Sequence, residues 1–206
     1  FEAAGYIPTD PAMTRPDVQI CFVPLMANTD GSSVIHGHGY TATVLILRPK
    51  SRGALTLRSA DPRQHPLIRV NYLQDSDDLR PLREGLRRAR HILSQKAFDS
   101  LRGEELAPGN DVQSDAEIDA FSRATGKSSH HLCGTCRMGE DDQAVVDSKG
   151  RVRGLEGLRV VDASIIPSIP SANINAPVIM MAEKLSDAIL GKPPLPPESE
   201  PALRAN

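Results

Sequence analysis

Residues 40–47 read Tyr40-Thr41-Ala42-Thr43-Val44-Leu45-Ile46-Leu47, a run dominated by β-branched and aliphatic side chains with no proline or glycine. Such a run packs well on a pleated surface and poorly in a helix, so it is read as a strand. Upstream, across a glycine-rich turn, Val18, Ile20 and Phe22 alternate with Gln19 and Cys21 as a second strand able to pair antiparallel with the first. Downstream, Ala54 to Arg58 follows Gly53, and Ile68 to Val70 follows the proline-punctuated DPRQHP segment, as third and fourth candidates. Residues 1–17 read as loop because Pro8, Pro11 and Pro16 interrupt any period. The economical sheet is antiparallel.

Further along, the period changes to that of helices. From Asp77 to about Gln95, Leu79, Leu82, Leu86, Ala89 and Leu93 fall on one face, and Arg80, Arg83, Arg87, Arg88 and Arg90 fill the others as a solvated surface. Ser114 and Glu117 have capping-box spacing, predicting a helix from Asp115 to about Ala124 that stops before Gly126. A last helix carries Pro177 in its first turn and Gly191 just past its end, with Val178, Met181, Ala182, Leu185 and Ile189 as its buried stripe. Between these two helices lie a His/Cys-rich stretch, a hairpin-like VVDSKGRVRG and a β-rich LRVVDAS. The expected class is α+β, with one portion over residues 1–125, a second over 126–191, and a disordered proline-rich tail over 192–206.

Composition narrows the partners. A formal net charge of −2 and 24% charged residues give no basic surface for nucleic acid or an anionic membrane, so a small molecule or another protein is expected. No run reaches the roughly 18–20 apolar residues that span a bilayer. Three cysteines, Cys21, Cys133 and Cys136, make a poor disulfide framework and suit a reducing compartment, so a cytoplasmic protein is expected, with peripheral membrane association compatible.

Chemistry concentrates in Ser128-Ser129-His130-His131-Leu132-Cys133-Gly134-Thr135-Cys136. Taken alone, this stretch admits a zinc site, a thioredoxin-like redox pair, or simply hydrogen-bonded histidines and small buried thiols. Zinc is disfavoured because structural sites draw ligands from two separated segments. The redox pair lacks the apolar helix that should follow it, and Arg137 stands where c-type haem attachment needs a histidine.

Downstream motifs bear on the choice. His131-Leu132-Cys133-Gly134-Thr135-Cys136-Arg137-Met138-Gly139 is followed by Val145-Val146-Asp147, then Arg151-Val152-Arg153-Gly154, then Gly157-Leu158-Arg159-Val160-Val161-Asp162-Ala163-Ser164 with Pro167. Ser171-Ala172-Asn173-Ile174-Asn175-Ala176-Pro177 and Ala182-Glu183-Lys184 come next. This order resembles the C-terminal signature of the glucose-methanol-choline oxidoreductases, especially the choline-dehydrogenase-like and alcohol-dehydrogenase-like members. Leu132 stands where the family usually has proline, and Ala172 where it usually has glycine. Arg48 to Gly53, Ser59 to Pro62 and Asn71 to Leu73 resemble the family's substrate-domain strands, so the likeness covers roughly residues 40–190.

The resemblance implies an antiparallel substrate-domain sheet with covering helices, joined to the C-terminal segment of a flavin-binding α/β domain. It implies FAD as cofactor, a primary alcohol as substrate, oxygen or a quinone as electron acceptor, and an N-terminal FAD-binding half outside this piece. In the family, the histidine matching His131 takes the hydroxyl proton while a hydride leaves for the flavin. Histidine suits that role because it can accept and return a proton near neutral pH. Asn173 would hydrogen-bond the same oxygen. His130, Asp162, Ala163, Asn175, Ala176 and Pro177 would contact the cofactor, the last three at a helix N-terminus whose partial positive charge favours an anionic ring. The resemblance assigns no resident metal.

Gly37-His38-Gly39-Tyr40-Thr41-Ala42 fits a loose dinucleotide fingerprint but is followed by strand rather than helix sequence, and is discounted. A non-catalytic truncated paralogue or subunit stays open beside the zinc or redox module. No Trp, three Tyr and four Phe offer no evident cage for a quaternary ammonium, which leaves choline itself unsupported at this level.

Overall fold

In the computed structural model, which describes residues 2–26 and 37–197, the chain forms two compact units. The first comprises Phe1–His131 with Ile169–Ala172, and the second Leu132–Ser168 with Asn173–Asn206. The class is α+β, with antiparallel sheets and covering helices.

The first unit is built on a three-stranded antiparallel sheet in the order β1 (Ala3–Ile7), β2 (Val18–Val23), β3 (Thr41–Ile46). The run quoted above is β3, with Val44 opposite Ile20 and Ile46 opposite Val18. β1 falls where loop was expected. Its Ala-Ala-Gly-Tyr-Ile sequence has weak strand propensity and becomes a strand by pairing with β2, from Ala3 opposite Phe22 to Ile7 opposite Val18, while the three prolines all lie in the connection beyond it. β2 is central, and four successive residues, Val18, Gln19, Ile20 and Cys21, are buried. Burial also pushes the Cys21 thiol up from its ordinary pKa. The glycine-rich turn read before Tyr40 lies mostly outside the described residues.

α1 (Leu79–Leu93), entered through a short 3-10 turn at Ser76–Asp78, lies against β2 and β3. Gly85 is the point of closest approach, where a Cβ would sit 2.4 Å from Val44 Cγ1 and 3.5 Å from Val18 Cγ1. Gly85→Leu must therefore push α1 off the sheet. A loss of about 1–3 kcal/mol is expected, the ordinary range for overpacking. An unchanged urea midpoint for this variant would contradict that packing.

The arginine row of α1 differs from expectation. Arg83 pairs with Asp119 at 2.5 Å and Asp115 at 3.0 Å, and Arg87 reaches Glu84 and Asp115, so these charges clamp α1 to α2 (Asp115–Thr125). Arg90 binds Glu105 through two nitrogens and also donates to the carbonyls of Gly109 and Val112, holding the connection before α2. Periodicity placed these side chains on a polar face, but their partners come from sequence-distant segments. α2 itself begins as predicted, with Ser114 Oγ accepting from Glu117 N and Glu117 reaching back to the Ser114 N–H. A separate antiparallel ribbon, β4 (Ala54–Thr56) with β5 (Leu67–Arg69), completes the elements before the boundary.

The second unit packs Val146, Ile165 and Leu185 with Met138, Val152, Val160, Val161 and Met181. Its last helix, α3, runs Asn175–Ile189. Met181 and Leu185 face the core as expected, whereas Ile189 is 52% exposed, because the stripe outruns the residues available to cover it. The LRVVDAS segment is not a strand. It is held by isolated links to several partners, including Val160 N to Gly150 O and a bridge from Arg151 to Arg159, so no continuous ladder forms. The tail is described only to residue 197.

Candidate active site

The loop bearing the two histidines leaves the end of α2. Gly126 closes that helix, its N–H bonded to Ser122 O at 2.8 Å, and residues 127–130 then lead to His131, which ends the first unit's main segment. His130 is exposed and has φ +62°, a left-handed conformation that costs a side-chain-bearing residue about 1–2 kcal/mol. Its N–H donates to Ser128 Oγ at 2.8 Å. His131 is half-buried and keeps polar contacts. Sequence pattern does not single out Ser128, whose place in this turn becomes visible only with the φ of His130.

Past the boundary, the cysteine-containing segment runs beside the Asp162–Ile166 segment. Cys136 N donates to Ser164 O at 3.0 Å, and Met138 N to Ile165 O at 2.9 Å. Asp162 ends an extended stretch and caps a 3-10 turn at Ala163–Ile165, its Oδ1 accepting from Ser164 N at 2.7 Å. Asp162 is exposed and Ala163 half-buried. Cys133 and Cys136 are half-buried and not joined in a disulfide, and among the described residues no three His, Cys, Asp or Glu side chains gather as a metal site. The zinc reading of HHLCGTC therefore finds no ligand set there.

Ser164 Oγ is buried with no hydrogen-bond partner among the described residues. An orphaned buried hydroxyl costs more than its absence, so Ser164→Ala is expected to leave the melting temperature unchanged or raise it. A clear fall would mean that the hydroxyl is satisfied after all.

Asn173 and Asn175 are exposed, as is Ala176, and Pro177 is half-buried in the first turn of α3. Asn175 does not cap the helix. The N-cap is Ile174, no side chain hydrogen-bonds there, and the first turn holds no acidic residue. The positive end of this four-turn helix carries no side-chain cap and no acidic residue of its own first turn, which suits an acceptor-rich group.

The turn between the motifs is rigid. Gly150 has φ +70°, and a Cβ there would lie 2.8 Å from Val160 O, so only glycine fits. Asp147 holds the same turn, accepting from Lys149 N, Arg151 N and Arg151 Nε. Burial pushes the Asp147 carboxyl up, but these donors outweigh it and bring the pKa down to about 2. A folded pKa below the unfolded value near 4 means the contribution is complete above about pH 4 and is lost as pH falls toward about 2. Asp147→Asn should therefore flatten the stability profile between these pH values, and an acid limb as steep as wild type would rule the linkage out.

Three rings, Phe22, Tyr40 and Phe98, gather with centroids 5.5–6.0 Å apart. This aromatic cluster was not evident from composition. A cation sits up to about 6 Å from the face of each ring that holds it. Rings already in mutual contact leave no room for a quaternary ammonium between them.

Comparison with known proteins gives consistent matches. The family model described as GMC oxidoreductase matches residues 49–182. An oxygen-dependent choline dehydrogenase of Ectopseudomonas mendocina (strain ymp) is 49% identical over 201 residues, covering 98% of this chain and 36% of that protein. One from Pseudomonas aeruginosa (strain UCBPP-PA14) is 50% identical over 196 residues, 95% of this chain and 35% of the other. The chain thus spans about a third of the length of these relatives. Among solved structures, pyridoxine 4-oxidase from Mesorbium loti aligns with a TM-score of 0.81 at 30% identity, over 91% of this chain and 37% of that one. A formate oxidase of Aspergillus oryzae RIB40, described in terms of its FAD modification, aligns at 0.79 and 31%, over 89% and 33%.

Proposed function

The chain belongs to the glucose-methanol-choline (GMC) oxidoreductase family, and on that premise we propose that it is the C-terminal part of an FAD-dependent enzyme oxidising a primary alcohol to an aldehyde. The observation that carries the reading is the family match over residues 49–182, which contains the ordered motifs from His131 to Pro177. FAD would supply the acceptor for the hydride leaving the carbinol carbon.

The chain's own residues do the rest. His131 takes the hydroxyl proton through an imidazole nitrogen and returns it later. Asn173 donates its amide N–H to the same oxygen, so negative charge developing there meets a fixed donor. The uncapped start of α3, with Asn175 and Ala176 exposed and Pro177 rigid, fits the acceptor-rich edge of a flavin. His130, Asp162 and Ala163 would line the cofactor from their own turns. The first unit, with its antiparallel sheet, would shape the substrate side.

The names of the relatives make choline the first alcohol to try and oxygen the first electron acceptor, with a quinone second. The test is anaerobic addition of choline and simple primary alcohols to the full-length protein, following the visible flavin band. Bleaching by at least one alcohol is expected. A full-length protein that carries no flavin, or whose flavin no alcohol reduces, would overturn the proposal.

A further inference from the structure

We infer that Ser128 is a positioning residue for His131, accepting the N–H of His130 and holding the left-handed turn that presents the next imidazole. The inference rests on the reading of His131 as the base.

Three observations lead to it. First, α2 is a fixed point of departure, since its start is closed by the Ser114–Glu117 capping box and its body is tied to α1 through Arg83 and Asp119. Second, the loop leaving it is short, with residues 127–130 between Gly126 and His131, so the backbone of each sets where the imidazole lands. Third, His130 has φ +62°, which side-chain-bearing residues seldom adopt, and its N–H lies 2.8 Å from Ser128 Oγ. Relaxation of His130 to the right-handed basin would rotate φ by about 120° and redirect the peptide entering His131.

Ser128 has the chemistry to prevent that. A serine hydroxyl can accept from the backbone N–H two residues on, offering the chain a local alternative to helix or strand. Threonine keeps the acceptor and alanine removes it. Glycine at position 130 removes the need for it, because glycine enters the left-handed region without penalty. The hydrogen bond and the conformation are therefore separable by mutation.

The experiment uses the full-length flavoprotein as wild type, Ser128→Ala, Ser128→Thr, His130→Gly and the double variant Ser128→Ala with His130→Gly. His131→Ala is included as reference. The readouts are bound flavin per chain, the rate constant of anaerobic flavin reduction, and the alcohol concentration giving half that rate. Ser128→Ala is expected to slow reduction by about 10–100-fold, as a small misplacement of a catalytic group does, with flavin content and half-saturating alcohol unchanged. Ser128→Thr should stay close to wild type. In the His130→Gly background, adding Ser128→Ala should cost little more. Wild-type reduction by Ser128→Ala, an equal loss in both backgrounds, or loss of bound flavin by Ser128→Ala itself would overturn the positioning role alone. Normal reduction by His131→Ala would overturn the base reading and this inference with it.

Discussion

His131→Ala in the full-length protein is expected to bind flavin as wild type does and to lose alcohol-dependent bleaching by about 10²–10⁴-fold, the usual contribution of a positioned general base. The physical demand is specific. In the proposed reaction a hydroxyl proton leaves as the carbinol carbon gives up its hydride, and His131 is the side chain proposed to take it. Alanine removes that acceptor and leaves the rest of the site able to bind. Asn173→Ala should cost less, about 10²-fold, because it removes one donor to the developing charge and leaves the base in place. Stopped-flow reduction under anaerobic conditions reads both effects without interference from reoxidation. Reduction at the wild-type rate by His131→Ala would remove the histidine from the mechanism.

Asp78→Ala should produce the largest loss of stability in the first unit, about 3 kcal/mol, since each buried backbone donor left unpaired costs about 1–3 kcal/mol. Asp78 is 2% exposed, and its two oxygens accept from Lys50 N at 2.6 Å and Ser51 N at 2.9 Å. These bonds fasten the loop after β3 to the start of α1, 27 to 28 residues away in sequence. The negative charge also stands just before the first turn of α1, where the helix dipole favours it. Asp78→Asn keeps one acceptor oxygen and should lose roughly half as much. The urea midpoints of the two variants measure the difference, and an alanine variant as stable as wild type would show that the loop has other means of attachment.

Some of the site was legible in the chain and some was not. The order of motifs directs attention to His131, Asn173 and the Asn175-Ala176-Pro177 junction, because that chemistry is tied to residue type and order. The bonds beside them were not legible. Cys136 and Met138 donate to the carbonyls of Ser164 and Ile165, and no side-chain pattern announces backbone pairing between segments 27 to 28 residues apart. The left-handed turn at His130 was equally hidden, since histidine enters that region more often than most side chains do but still in only a minority of cases.

By itself the sequence determined the elements whose cause is local. The Ser114–Glu117 box starts α2, the leucine period makes α1 a one-faced helix, Pro177 and Gly191 bracket α3, and the β-branched run at 40–47 makes β3. Only the tertiary structure decided what depends on a distant partner. β1 exists because β2 offers its edge, Arg83 and Arg90 are clamps because Asp119 and Glu105 fold back to meet them, and the Arg159–Asp162 segment stays irregular because its hydrogen bonds are divided among several neighbours. Local propensity acts through a residue's own backbone and its near neighbours in sequence, whereas pairing and burial depend on which surfaces the folded chain brings within reach.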